Sequence, residues 1–205
     1  GKFNIGTGLK KTGSNKSRIA KVNSDYTPLS SLGKILNISW ITPQLCVLIL
    51  SSMNEKRRFI DRLTMSIDSL HLNRVYKYDK LFRQRNKILM QPNSDKTWLD
   101  TIETQISELS ISIIARRLDL LEELENLYNI ELKNNHLTEH FPSVGIIING
   151  EIEKLLQEKP AIEVEDYIKS ELKKSRSDYE LSISGPNNSI IEIFNRIDNK
   201  NLDTS

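Results

Sequence analysis

One cysteine, Cys46, occurs in the 205 residues. No intramolecular disulfide can therefore form, and a reducing compartment is expected. Cys46 lies in the run Leu45-Cys46-Val47-Leu48-Ile49-Leu50, where a small buried side chain is its expected role. Glycine is scarce, with 8 residues. Its densest cluster, Gly6-Thr7-Gly8, lacks the Gly-Lys-Ser/Thr and the following helix that a phosphate loop requires. No apolar run approaches the roughly 18 residues of a membrane span, and the N-terminus has no signal-peptide architecture. A membrane partner is excluded on this reading, and a cytoplasmic location is expected. The chain begins at Gly1 rather than methionine, which reads as a piece of a longer protein. Neither charge sign dominates: 29 Lys and Arg against 27 Asp and Glu give a net +2. That excess is too small to imply a nucleic-acid partner, so the distribution of charge decides.

What is present is a chain 38% hydrophobic and 27% charged, consistent with a buried core. Residues 1–23 read as a β-hairpin, with Phe3, Ile5 and Leu9 alternating with polar residues and a polar loop over 10–16. Residues 29–38 read as a helix, and 45–50 as a buried strand. From residue 54 the pattern turns helical, with Asn54 as the expected N-cap and Phe59, Leu63 and Ile67 on one face. A break with a fresh cap at Asp68-Ser69 precedes a helix over about 70–90. Ser94 or Asp95 caps the longest helix. Its stripe of Leu99, Ile102, Ile106, Leu109 and Ile113 resumes at Leu120, Leu124 and Leu127, a coiled-coil-like seam interrupted by Arg116 and Arg117. A loop over 130–142, a strand over 144–149, a turn at Asn149-Gly150 and a helix over 162–176 follow. Strands over 181–184 and 189–194 then precede a frayed polar tail. The terminal strands either pair with each other or belong to a larger sheet.

Little in this pattern carries catalytic chemistry. His136 and His140 have a helical ligand spacing, but no third ligand stands at a familiar distance. No serine sits in a nucleophile-elbow sequence. The cations are more informative. Lys56, Arg57, Arg58, Arg62, Arg74, Lys77, Lys80, Arg83, Arg85 and Lys87 crowd a short span in which Asp61, Asp68 and Asp79 are the acids. Such an excess on two helices is the footprint of phosphate-backbone binding; a solvated face with acidic neighbours is the bland alternative. Arg57, Arg58, Arg62, Arg83 and Lys87 are the candidate DNA contacts.

The same span carries a family likeness. Lys56-Arg57-Arg58-Phe59-Ile60-Asp61-Arg62 resembles the Arg-Arg-x-Phe-Leu-Asp element of RecF, the bacterial recombination mediator family. Tyr78 and Asn86 are in register with its Tyr-x-x-x-Leu-Lys/Arg-x-Arg-Asn helix, and Leu81 stands one residue before its Leu position. Trp40-Ile41-Thr42-Pro43-Gln44 and Ser184-Gly185-Pro186 resemble family positions before and after. The likeness covers the middle of such a protein. It implies an α+β fold: parts of an SMC/ABC-type ATPase head over 1–53 and 178–205, with an inserted, mainly helical domain over 54–177. It also implies a parent that uses ATP and Mg, forms a head-to-head homodimer, and binds single-stranded and gapped duplex DNA. That parent works with other recombination mediators to load recombinase.

The departures bear on activity. No Gly-x-x-x-x-Gly-Lys-Ser/Thr, signature loop or Walker B acidic pair occurs in these residues. Gln44 is the remaining candidate for a nucleotide-contacting glutamine. The family's Gly-Pro-His-Arg/Lys element stands here as Gly185-Pro186-Asn187-Asn188. The expected activity is DNA binding without an ATPase of the chain's own. A helical interaction domain without DNA binding is the alternative, and an enzyme completed in trans is a third.

Overall fold

The computed structural model describes residues 3–12, 15–35, 51–91, 95–133, 143–176, 183–196 and 200–201. The expected strand over 45–50, Cys46, Gln44, His136 and His140 lie outside the described residues. The chain divides into two compact units, Gly1–Trp40 and Ile41–Ser205.

In the first unit, β1 (Ile5–Thr12) and β2 (Asn15–Val22) form the expected antiparallel hairpin, with Ile5 opposite Val22 and Thr12 opposite Asn15. The ladder extends through Lys10 and Lys11, shortening the expected 10–16 loop to its tip. Most of β1 is exposed, so no burial pattern penalises polar residues in the ladder. A third strand, β3 (Asp25–Thr27), was not legible in the sequence. Asn23 and Ser24 both have positive φ, 50° and 79°, the requirement of a two-residue turn matching strand twist. The Asn23 side chain accepts from the Asn4 amide at 3.0 Å and fixes the turn against β1. Of the helix expected over 29–38, a 3-10 helix is described at Leu29–Lys34.

The second unit is mainly helical, with one small sheet. Helix α1 (Met53–Thr64) starts at a capping box. The cap is Ser52 rather than Asn54, because Ser52-Met53-Asn54-Glu55 places a carboxylate three residues after a hydroxyl. Helix α2 (His71–Leu89) follows a tight turn. The expected cap at Asp68-Ser69 is replaced by Leu70 as N-cap, although Asp68 Oδ1 still accepts from the Leu70 amide at 3.0 Å. Helix α3 (Lys96–Lys133) is 38 residues long. Asp95 accepts from the Thr97 and Trp98 amides and caps it as expected. α3 also runs past 130, where a loop was expected.

After β4 (Val144–Asn149), the Asn149-Gly150 pair does not turn the chain into a hairpin; it opens α4 (Glu151–Glu158). Helix α5 (Ala161–Lys174) begins after Pro160 as expected. β5 (Ile190–Asn195) pairs antiparallel with β4, and β6 (Lys200–Asn201) pairs with β5. β6 replaces part of the expected frayed tail, and Ile183 and Ser184 lie outside any strand. Among the described residues the N-terminal and C-terminal strands form separate sheets.

Two apolar clusters hold this unit. Leu81, Ile88, Leu99, Ile106, Ile113, Ile168 and Leu172 join α2, α3 and α5. Ile60, Leu120, Ile148 and Ile191 join α1 and α3 to the sheet. Leu109, on the expected stripe, is half-buried at the edge of the first cluster. Among the described residues no helix is long and apolar enough to cross a membrane. The architecture is α+β.

Candidate nucleic-acid interface

The helical period sorts the cations of the 56–87 span onto different faces. On α2, Lys77, Lys80, Arg83 and Lys87 are spaced three, three and four apart and are all exposed. They share one face over about 15 Å of helix. That face also carries Asn73, Tyr76, Gln84 and Met90, with the half-buried Asp79 at its edge, four residues before Arg83. Tyr76 is 68% exposed. On α1, Arg58 and Arg62 are four apart and exposed. Among the described residues none of these six cations has an ion-pair partner.

The other cations of the span face inward or sideways. Arg57 is half-buried and donates to the Ser189 carbonyl at 2.7 Å and to Asn54. Burial and the neighbouring Arg117 guanidinium lower its pKa, against an opposing pull from Asp61. Arg74 pairs with Asp68, and Lys56 is buried. Arg85 is fully buried. It donates to Glu103 at 2.8 Å, to the Leu172 carbonyl at 2.8 Å and to Ser175 at 2.7 Å. Arg176 grips the same Glu103 together with Asp100. This network ties α2 to α3 and α5. Of the candidate contacts, Arg58, Arg62, Arg83 and Lys87 therefore face solvent, whereas Arg57 is bonded to the loop before β5. Lys77 and Lys80 complete the α2 ridge.

Sequence reasoning missed a buried hub beside this surface. Arg117 donates to both carboxylate oxygens of Asp61, at 2.8 and 3.0 Å. Its remaining nitrogen donates to the Pro186 carbonyl at 2.7 Å and to Ser189 Oγ at 3.2 Å. His71 Nε2 lies 2.7 Å from Asp61, and Ser189 donates to the buried Glu153. Burial pushes the Asp61 carboxyl up, but the hydrogen bonds from His71 and Arg117 outweigh it and hold the pKa below the usual range. Five segments meet here: α1, α2, α3, α4 and the loop 185–189. Arg58 does not buttress Asp61 or Asp79. Arg117 and His71 hold the first, and Asn187 donates to the second at 3.1 Å. The available signal was a cation inside an apolar stripe: Arg117 follows Ile113 and precedes Leu120 on the core-facing side of α3.

The hub fixes the loop that carries Gly185-Pro186-Asn187-Asn188. A Cβ at Gly185 would lie 2.8 Å from the Tyr78 hydroxyl, so the close approach needs glycine. Asn187 and Asn188 are exposed on it. Two neutral amides thus stand where the family likeness places a histidine and a cation.

The start of α4 is unsuited to a nucleoside triphosphate, whose phosphates need backbone amides and a cation around them. Helix α4 has glycine at its N-cap, but Glu151 and Glu153 occupy its first turn. The Glu153 carboxylate covers the space above Gly150, and like charges repel. Among the described residues no group of three His, Cys, Asp or Glu could hold a metal ion.

No protein-family model matches the chain. Curated relatives do. The chain is 35% identical over 169 residues to the DNA replication and repair protein RecF of Agrobacterium fabrum, covering 81% of this chain and 43% of that protein. It is 33% identical over 165 residues to the RecF of Rickettsia felis, covering 80% and 43%. Against the RecF of Mesorhizobium japonicum the identity is 30% over 177 residues, covering 86% and 46%. A solved structure described as the recombination mediator protein RecF-ATPrS in the RecFOR pathway superposes with a TM-score of 0.72 at 22% identity. It covers 94% of this chain and 52% of that one. A second, described as RecF-ATP, gives 0.66 at 18% identity. At these identities the solved structures show the fold, which is α+β. The chain spans less than half the length of the curated relatives it matches, and it belongs to the RecF family as a part of such a protein.

Proposed function

We propose that this chain is the DNA-contacting part of a RecF-like replication and repair protein. The observation that carries the reading is the exposed ridge of Lys77, Lys80, Arg83 and Lys87 on α2, where none of the four has an ion-pair partner among the described residues, with Arg58 and Arg62 exposed on α1. Cations three and four residues apart on a helix lie at distances suited to successive phosphates. In this reading the complete protein binds single-stranded and gapped duplex DNA with ATP and Mg, forms a head-to-head dimer and helps load recombinase. Residues 54–177 supply the helical domain of that protein, and 1–53 and 178–205 supply head segments. Nucleotide binding belongs to other segments, so ATP titrated onto this chain in a calorimeter gives no binding heat. Micromolar affinity would contradict that.

The test of DNA binding is fluorescence anisotropy with a labelled single strand and a labelled gapped duplex at low salt. Binding is expected, and Lys80→Glu with Arg83→Glu weakens it by about tenfold or more. An absence of binding at low salt, or binding indifferent to these substitutions, favours the second reading, a helical interaction domain. What supports that alternative is the engagement of Arg57, Arg74 and Arg85 in internal contacts.

A further inference from the structure

The first unit holds a concentration of positive charge separate from the α2 ridge. Residues 1–24 contain Lys2, Lys10, Lys11, Lys16, Arg18 and Lys21, and all 27 Asp and Glu of the chain lie beyond them. Such an asymmetry points to a polyanionic partner. The strand register sorts these cations. Lys11 stands directly opposite Lys16, and Leu9 opposite Arg18, so Lys11, Lys16 and Arg18 share one face of the β1–β2 ribbon. Lys10, opposite Ser17, and Lys21, opposite Gly6, lie on the other face. All five are exposed. Among the described residues none of the five has an ion-pair partner, although Lys21 rests over the Tyr26 ring at 4.5 Å. Like charges directly opposite each other destabilise a strand pair, and Lys11 and Lys16 are such a pair. A Cβ at Gly6 or Gly8 would meet nothing within 4 Å. The unit's own packing therefore does not require glycine there, and the bare strand lets another backbone approach closely on the face of Lys10 and Lys21.

We propose that the outer half of this hairpin, residues 9–11 with 16–18, enters a groove of duplex nucleic acid, with Lys10 toward the phosphates of one strand and Lys11, Lys16 and Arg18 toward those of the other. The site lies in the first unit and does not rest on the α2 ridge. Charge on both faces selects this occupant. An anionic lipid surface is planar and meets one face only, which leaves the cations of the other face without a partner. A groove presents phosphates on both sides. Paired strands lie about 5 Å apart, and a major groove about 12 Å wide admits a two-stranded ribbon. A second copy of the hairpin would bring cations against cations.

The test is duplex affinity against salt, read by fluorescence anisotropy on the full chain. Lys11→Gln with Lys16→Gln flattens the slope of log affinity against log salt by about 2, and Lys10→Gln alone by about 1, each with weaker binding. The same changes appear in a chain whose Lys77, Lys80, Arg83 and Lys87 are already Gln, which separates the hairpin from the ridge. The double variant loses a cross-strand repulsion, so it melts no lower than wild type by circular dichroism and its weaker binding is not unfolding. Slopes that neither substitution changes overturn the proposal, whatever the ridge does. So does a response to Lys11 and Lys16 without one to Lys10, because a single working face fits a flat surface. Vesicles containing phosphatidylserine that capture the wild type but not the double variant, with duplex affinity unchanged, would assign the hairpin to a membrane and also overturn it.

Discussion

Arg117 shows how much of this unit rests on one side chain. Its guanidinium is 1% exposed and joins a carboxylate on α1 to a carbonyl and a hydroxyl of the loop before β5. Arg117→Ala leaves Asp61 buried with His71 alone, and a stranded buried charge costs about 3–5 kcal/mol. Urea denaturation measures that loss, and a change below about 1 kcal/mol would mean the hub is dispensable. Acid tests the same contact. The pKa of Asp61 is lower folded than unfolded, so its contribution is complete above the unfolded value of about 4 and is lost as pH falls through the folded one. The wild-type chain loses stability below about pH 4. Asp61→Asn starts less stable and has a shallower acid dependence. None of this was legible beforehand, because Asp61 and Arg117 are 56 residues apart in sequence. A cation in an apolar stripe signals a partner without naming it. The exposed cations were legible as candidates, but only the helical faces separate Arg83 and Lys87 from the buried Arg85 between them.

Among the elements, α3 was the most legible because its apolar residues keep one period over many turns. The pattern could not show where the covering elements stop. Ile113 is fully buried, so Ile113→Ala costs about 2–5 kcal/mol. Leu127→Ala, on the same stripe, changes stability by no more than about 0.5 kcal/mol. Thermal or urea denaturation of the two variants separates them, and equal losses would place Leu127 in the core. Helix α4 was missed for a local reason. Asn149-Gly150 is a strong turn signal, yet Gly150 here ends a strand and starts a helix whose Ile152, Leu155 and Leu156 pack inward. The Ser52 cap was available as a Ser-x-x-Glu pattern and was masked by the more obvious Asn54. The third strand of the N-terminal sheet has three residues, too few to show a period.

Across the whole chain, the family was legible from residue order and spacing, and the relatives agree with it. They also show that the chain spans under half of such a protein. In the function proposed here, the α2 ridge binds the nucleic-acid backbone. The most direct test is the salt dependence of duplex affinity for the wild-type chain and a variant with Lys77, Lys80, Arg83 and Lys87 all changed to Gln. Each phosphate contact contributes about 0.9 to the slope of log affinity against log salt. The expected result is a steep wild-type slope that becomes shallower by about 3 to 4 in the variant, with weaker binding at every salt concentration. Equal slopes for the two proteins would contradict it.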